Sequence, residues 1–114
     1  MNILGGIIKM KYFISNPMRG KSDEAIEKER IAIEQIIAKE DPNYEIVDSF
    51  FKGEISNHSP VWLLGAAIQV MDQADVVVFG PGWDKARGCK LEHDVAFAYD
   101  KTIKVITEKA INEQ

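Results

Sequence analysis

Glu92 is the side chain in this sequence best placed to do chemistry. It follows Gly80-Pro81-Gly82 and Gly88, where an apolar run gives way to helical spacing. A carboxylate near a helix N-terminus is favoured in its ionised form. Aimed into a cleft, an ionised carboxylate can attack an electrophilic sugar carbon and form a covalent ester. The plain alternative is a glutamate that only complements the helix dipole, and spacing alone favours it, because dipole-matched acids are common. Asp84 and Asp94 read more simply, as a turn residue and a helix-surface charge.

A second group with chemical potential is NPMRGKS, residues 16 to 22. Arg19, Gly20 and Lys21 precede Ser22, and together with a helix N-terminus they can hold an anion such as a phosphate. The spacing is not that of a Walker loop, and a solvated basic turn with a capping serine accounts for the same residues. Trp83, just after the Gly-Pro-Gly turn, offers a ring that can stack on a base or cover the end of the core. Tyr12 and Phe13 alternate across a strand, so one is expected in the core and the other toward the cleft. His58 and His93 read as surface residues, and Cys89 as a small buried hydrophobe. No His/Cys/Asp spacing supports a metal site, and no cofactor is implied.

These residues need a frame to bring them together. Val76-Val77-Val78-Phe79 is a continuous apolar run, suited to a strand buried on both faces of a parallel sheet. Residues 11 to 15 (KYFIS), 44 to 48 (YEIVD) and 101 to 106 (KTIKVI) read as three further strands. Between them, Ile26, Ile33 and Ile37 define a helix over 23 to 39, opened by Ser22 with Asp23 and Glu24 in its first turn. Ser59-Pro60 opens a second helix over 60 to 73, with Leu64, Ala67, Ile68 and Met71 as its apolar face. Leu91, Val95 and Ala98 mark a third over 88 to 99. Residues 49 to 59 read as a long loop, and the polar tail after Ile106 as frayed or briefly helical. The alternation β-α-β-α-β-α-β predicts an α/β, doubly wound parallel sheet of flavodoxin-like or Rossmann-like type, with strand order 2-1-3-4. Ligands of such sheets sit outside the carboxyl ends of the strands. There the loops 16–22, 49–59 and 80–92 should converge.

At 114 residues the chain reads as one domain with a single modest core, spanning 10 to 114. Residues 1 to 9 are apolar but too short to span a bilayer, and they lack a signal peptide's basic start and cleavage site. They are expected to be an extension preceding Met10, and no membrane partner is implied. A net charge of −4 argues against a nucleic-acid polymer as partner while leaving room for a local anion site. The single cysteine rules out an intramolecular disulfide and fits a reducing cytoplasm.

Three stretches, YFISNPMRG, ADVVVFGPGW and RGCKLEHDVAFAYDKTI, resemble the nucleoside 2-deoxyribosyltransferase-like superfamily, in particular its small, often phage-encoded branch. The resemblance covers roughly residues 10 to 106. It implies cleavage or transfer at the N-glycosidic bond of a nucleoside or its 5′-monophosphate, with Glu92 attacking C1′ of the sugar. It also implies that Asn16, Arg19 and Gly20 bind sugar and phosphate, and that the protein forms a homo-oligomer. With the loop residues, the expected substrate-contacting set is Tyr12, Asn16, Arg19, Gly20, Gly82, Trp83 and Gly88. Two departures accompany the likeness. The family's orienting aspartate on the second helix falls on Ala67, and its fifth strand has no counterpart after Ile106. A non-catalytic nucleotide-binding module of the same fold is the alternative.

Overall fold

The computed structural model describes residues 9–47 and 57–114. The expected extension over residues 1–9, apart from Lys9, lies outside the described residues. So do Asp48 of the expected second strand and residues 49–56 of the long loop.

Strand β1 (Lys11–Ser15) lies between β2 (Glu45–Val47) and β3 (Val76–Phe79), and β3 pairs in turn with β4 (Thr102–Val105). Within the described residues the sheet is four-stranded, parallel throughout and ordered β2-β1-β3-β4, as expected. The β1–β3 register sets Tyr12 beside Val76 and Ser15 beside Phe79, so the two strands reach the carboxyl edge together.

The helices are α1 (Asp23–Glu40), α2 (Pro60–Met71), α3 (Arg87–Ala98) and the short α4 (Glu108–Asn112). The Ser22, Ser59 and Thr107 side chains cap α1, α2 and α4 by accepting the amides of Ala25, Trp62 and Ala110. Within the described residues no helix is long and apolar enough to cross a membrane.

Strand alternation divides the core into two layers. Tyr12, Ile14, Val76 and Val78 pack against Ile33 and Ile37 of α1, with Ile106 and the partly buried Ala110 and Ile111 of α4. Phe13, Val77 and Phe79 face the other way, against Ala67 and Met71 of α2 and Ala96 of α3. β3 can be apolar without alternation because both its faces are covered, and all four of its side chains are buried.

α3 keeps one residue of the expected face, Val95, against the core and departs at the other two. Its buried residues are Cys89, Glu92 and Ala96, while Leu91 is 43% exposed and Ala98 lies outside the core. The inward stripe runs i, i+3, i+7 through two small side chains and one carboxylate. Its low hydrophobicity hides it from a periodicity reading. The small residues let α3 approach the sheet closely enough to carry Glu92 to the end of β1.

Between β3 and α3 the chain turns at Gly82, whose φ of +80° favours glycine, and enters a 3-10 turn at Trp83–Lys85. Gly80 matters for a different reason. A Cβ there would lie 3.0 Å from Ile33 Cδ1 and 3.2 Å from Asn16 Cβ, tighter than ordinary contact, so these neighbours would have to give by a few tenths of an ångström.

Tyr12 is the cleft residue that the alternation sends elsewhere. Its ring is in the α1 layer, and its hydroxyl donates to Asp41 Oδ2 at 2.9 Å, just beyond the C-terminal end of α1 and so at the amino end of the sheet. Burial, then the Asp41 bond, pushes its phenol pKa up to about 12. A folded value above the unfolded one means stability that is present below about pH 10 and lost as pH rises through about 12. Tyr12→Phe should lower stability by about 0.5–1.5 kcal/mol in denaturant titrations at neutral pH, the value of one hydrogen bond, and should leave any ligand binding unchanged.

Candidate functional site

The site forms where β1, β3 and α3 meet. Ser15 follows Phe13 on the α2/α3 side of the sheet, and its hydroxyl donates to Glu92 Oε1 at 2.6 Å. Asn16, one residue on, falls on the α1 side. There its Oδ1 accepts from Arg30 Nη1 at 3.0 Å, and its Nδ2 donates to Glu29 Oε1 at 2.9 Å. The same Arg30 nitrogen donates to the Ile14 carbonyl at 3.1 Å, and Lys21 pairs with Glu29 at 3.5 Å. A charged and polar chain therefore runs Lys21–Glu29–Asn16–Arg30 on one side of the strand end, opposite Ser15–Glu92 on the other.

Glu92 is 9% exposed, and helix numbering alters its electrostatics. With α3 opening at Arg87, Glu92 is its sixth residue, beyond the first turn in which the dipole acts. Burial therefore dominates and raises its carboxyl above the ordinary carboxylate value, whereas the Ser15 bond and then the Arg30 charge pull it down. The ionisation expected from the helix N-terminus is replaced by a contest between desolvation, which raises the carboxyl, and the Ser15 bond and Arg30 charge, which lower it. Cys89, one turn earlier, has its thiol pushed up to about 11. Burial is the main cause, lowered again by the Ser15 bond, with Glu92 and Glu29 raising it and Lys21 lowering it. It stays protonated at neutral pH and serves as packing, as its size predicted.

The other expected residues divide by what already occupies them. Asn16 is buried, and both ends of its amide are engaged within the protein, so its place is in the wall of the site. Arg19 and Gly20 are exposed in the turn that follows β1. Of their companions, Lys21 is paired with Glu29 and Ser22 caps α1. Gly82 lies against this turn, since a Cβ there would meet Pro17 Cγ at 3.6 Å. The loops 16–22 and 80–86 therefore do converge. Gly88 is exposed in the first turn of α3, with open space where a side chain would begin.

Trp83 tilts onto Phe79, with ring centroids 5.3 Å apart, and stacks on His93 at 4.4 Å and 15°. One indole face is thus covered by the chain itself, which favours the core-covering role. His93, expected at the surface, belongs to this aromatic cluster, with its ring also tilted onto Phe79 at 5.0 Å. Trp83 and His93 help to wall an open pocket of about 610 Å³ with Arg87, Lys90 and Leu91, and Glu92 is not among its lining residues. Within the described residues no group of three His, Cys, Asp or Glu side chains is placed to hold a metal ion.

Sequence reasoning missed Ser15, Glu29 and Arg30. Arg30 carried a readable signal, because 26, 30, 33 and 37 follow one helical stripe and it is the one charged residue among three isoleucines. Ser15 carried a weaker one, as the polar last residue of an apolar strand on the same face as Phe13.

No protein-family model matches the chain, and no curated protein matches it.

A raised carboxyl pKa gives Glu92 a definite stability signature. The folded state holds its proton more tightly than the unfolded chain. This contribution is present below the ordinary glutamate pKa of about 4.3 and is lost as pH rises through the folded value. Glu92→Gln, whose amide oxygen can still accept from Ser15, should melt above the wild type at neutral pH. Thermal denaturation should show the gap closing as pH falls toward 4.

Proposed function

We propose that this protein cleaves or transfers at the N-glycosidic bond of a deoxynucleoside, a nucleoside or a 5′-monophosphate, with Glu92 as nucleophile. The observation that carries the reading is the buried Glu92 carboxylate, hydrogen-bonded by Ser15 at the carboxyl edge of a parallel sheet. A carboxyl group held there with a perturbed pKa is the kind of group that active sites collect. The likeness of YFISNPMRG and ADVVVFGPGW to the nucleoside 2-deoxyribosyltransferase-like proteins supports the choice of substrate.

In the first step a Glu92 carboxylate oxygen bonds to C1′ as the C1′–N bond breaks. The bonding pair leaves with the base, which takes a proton from solvent. In the second, water or another base attacks C1′, the ester C–O bond breaks with its electrons returning to the carboxylate, and the acceptor gives up a proton. Two inversions give net retention at C1′. Ser15 stabilises the charged carboxylate before attack and after release. Arg19 and the Gly20 backbone, beside the α1 N-terminus, hold the 5′-phosphate where one is present.

A panel of deoxynucleosides, ribonucleosides and their monophosphates, read for released free base, tests the assignment. Glu92→Gln should lose several orders of magnitude in turnover while substrate binding persists, since shape and the Ser15 bond are kept. Because Glu92 must be ionised to attack and its pKa is raised, the rate should climb with pH through a limb above the ordinary glutamate range. Base release by Glu92→Gln at the wild-type rate would exclude this nucleophile. A monophosphate should bind roughly ten- to a hundredfold better than its nucleoside, and Arg19→Ala should remove the difference.

One observation favours the alternative, a nucleotide-binding module without turnover. Ala67, where the family has its orienting aspartate, is buried in the core layer between α2 and the sheet. Saturable nucleotide binding with no base released would select that reading.

A homo-oligomer in a reducing, cytoplasmic setting belongs to the same proposal. Val61 and Trp62 on α2 and Phe97 on α3 are exposed by 77%, 48% and 74%, and the two helices cover the same sheet face. A second copy would bury this surface. Light scattering at micromolar concentration should give at least twice the 12.8 kDa monomer mass.

A further inference from the structure

We propose that Arg30 is a positioning residue for Glu92, gripping the strand end on both sides of Ser15 and thereby fixing the hydroxyl that holds the carboxylate. Arg30 Nη1 binds the carbonyl of Ile14 at 3.1 Å and the side-chain oxygen of Asn16 at 3.0 Å, the two residues that flank Ser15. Arg30 is 9% exposed, and a guanidinium is brought inside a small domain only where polar groups receive it. With residues 14 and 16 tied to the α1 side, the intervening Ser15 is turned toward α3. Its hydroxyl then reaches Glu92 Oε1 at 2.6 Å.

The clamp is itself anchored. Asn16 passes the connection to Glu29, and Glu29 to Lys21 in the turn after β1. Both bonds come from one nitrogen, Nη1, whose two hydrogens lie in the guanidinium plane and so point in fixed directions, which a lysine ammonium on a flexible stem does not reproduce. The groups acting on Glu92 are the Ser15 hydroxyl from β1, which touches it, and the Arg30 charge from α1 across the strand end, with the neutral Cys89 thiol one turn earlier on α3 and His93 stacked on Trp83. Ser15 and Arg30 both favour the ionised carboxylate, against its burial.

Only the effect on turnover rests on Glu92 acting as nucleophile, because the coupling can be read directly. The Glu92 carboxyl is titrated by carbon-detected NMR in protein labelled at glutamate, with Glu92→Gln assigning the signal. Wild type is compared with Ser15→Ala, Arg30→Lys and the double variant. Each single substitution should move the Glu92 midpoint upward. If Arg30 acts through Ser15, the double variant should titrate like Ser15→Ala alone. An unmoved midpoint in Arg30→Lys, or shifts that add in the double variant, overturns the proposal. Asn16→Ala removes one of the two grips and is the milder variant should Arg30→Lys not fold. It should move the midpoint in the same direction by less, and an unmoved midpoint there also counts against the proposal. In the base-release assay Arg30→Lys should lower kcat by about ten- to a hundredfold with KM little changed, and a wild-type kcat would overturn the clamp. If the wild-type protein releases no base from any substrate, the nucleophile reading falls, and the titration still decides the role of Arg30.

Discussion

Everything at the carboxyl edge depends on the parallel pairing of β1 with β3. That ladder brings Ser15 level with Phe79 and continues one step further, where the Gly80 amide donates to the Ser15 carbonyl at 2.9 Å. Because side chains alternate, a strand leaving the sheet presents consecutive residues to opposite layers. Ser15 therefore belongs to the α3 side and Asn16 to the α1 side. The two polar clusters lie on opposite sides of one strand, close enough that the Arg30 charge still acts on Glu92. Gly80 eases the close approach of this edge, since a Cβ there would crowd Asn16 and Ile33.

The same edge concentrates the unfavourable electrostatics of the fold. A buried carboxylate and a buried guanidinium are each expensive to desolvate, and a domain of this size has little stability to spare. Each is met by hydrogen bonds, and among the described residues no buried side-chain polar atom lacks a partner. A core built for stability alone would place apolar side chains at these positions. These buried polar groups lie at the edge where ligands of parallel sheets bind, and they are the groups that the proposed function uses.

Much of the architecture was legible because strand and helix leave different periods in the sequence. The apolar run Val76–Phe79, the serine caps and the isoleucine stripe of α1 each correspond to an element within a residue or two of expectation. The candidate site was legible only in part. Glu92 and the convergence of two loops were readable, but the α3 face was not, because its inward stripe contains the very carboxylate that makes it interesting. Hydrophobic periodicity discounts polar residues, and so it also passed over Arg30 among the isoleucines of α1. Tyr12 and Phe13 illustrate a different limit. Alternation separates them, but which layer holds the cleft depends on where α3 lands, a long-range contact that no local pattern encodes.

β4 has one further consequence. Within the described residues it pairs with β3 alone, so its other side presents unpaired backbone donors and acceptors. Such an edge can template adventitious strand addition and, through it, insoluble fibrous assemblies. Here the strand is only four residues long, and Lys104 on it is paired with Glu40 at the end of α1. A short strand bearing a lysine, as here, offers a poor template for sheet extension. Strand addition along the β4 edge is thereby disfavoured.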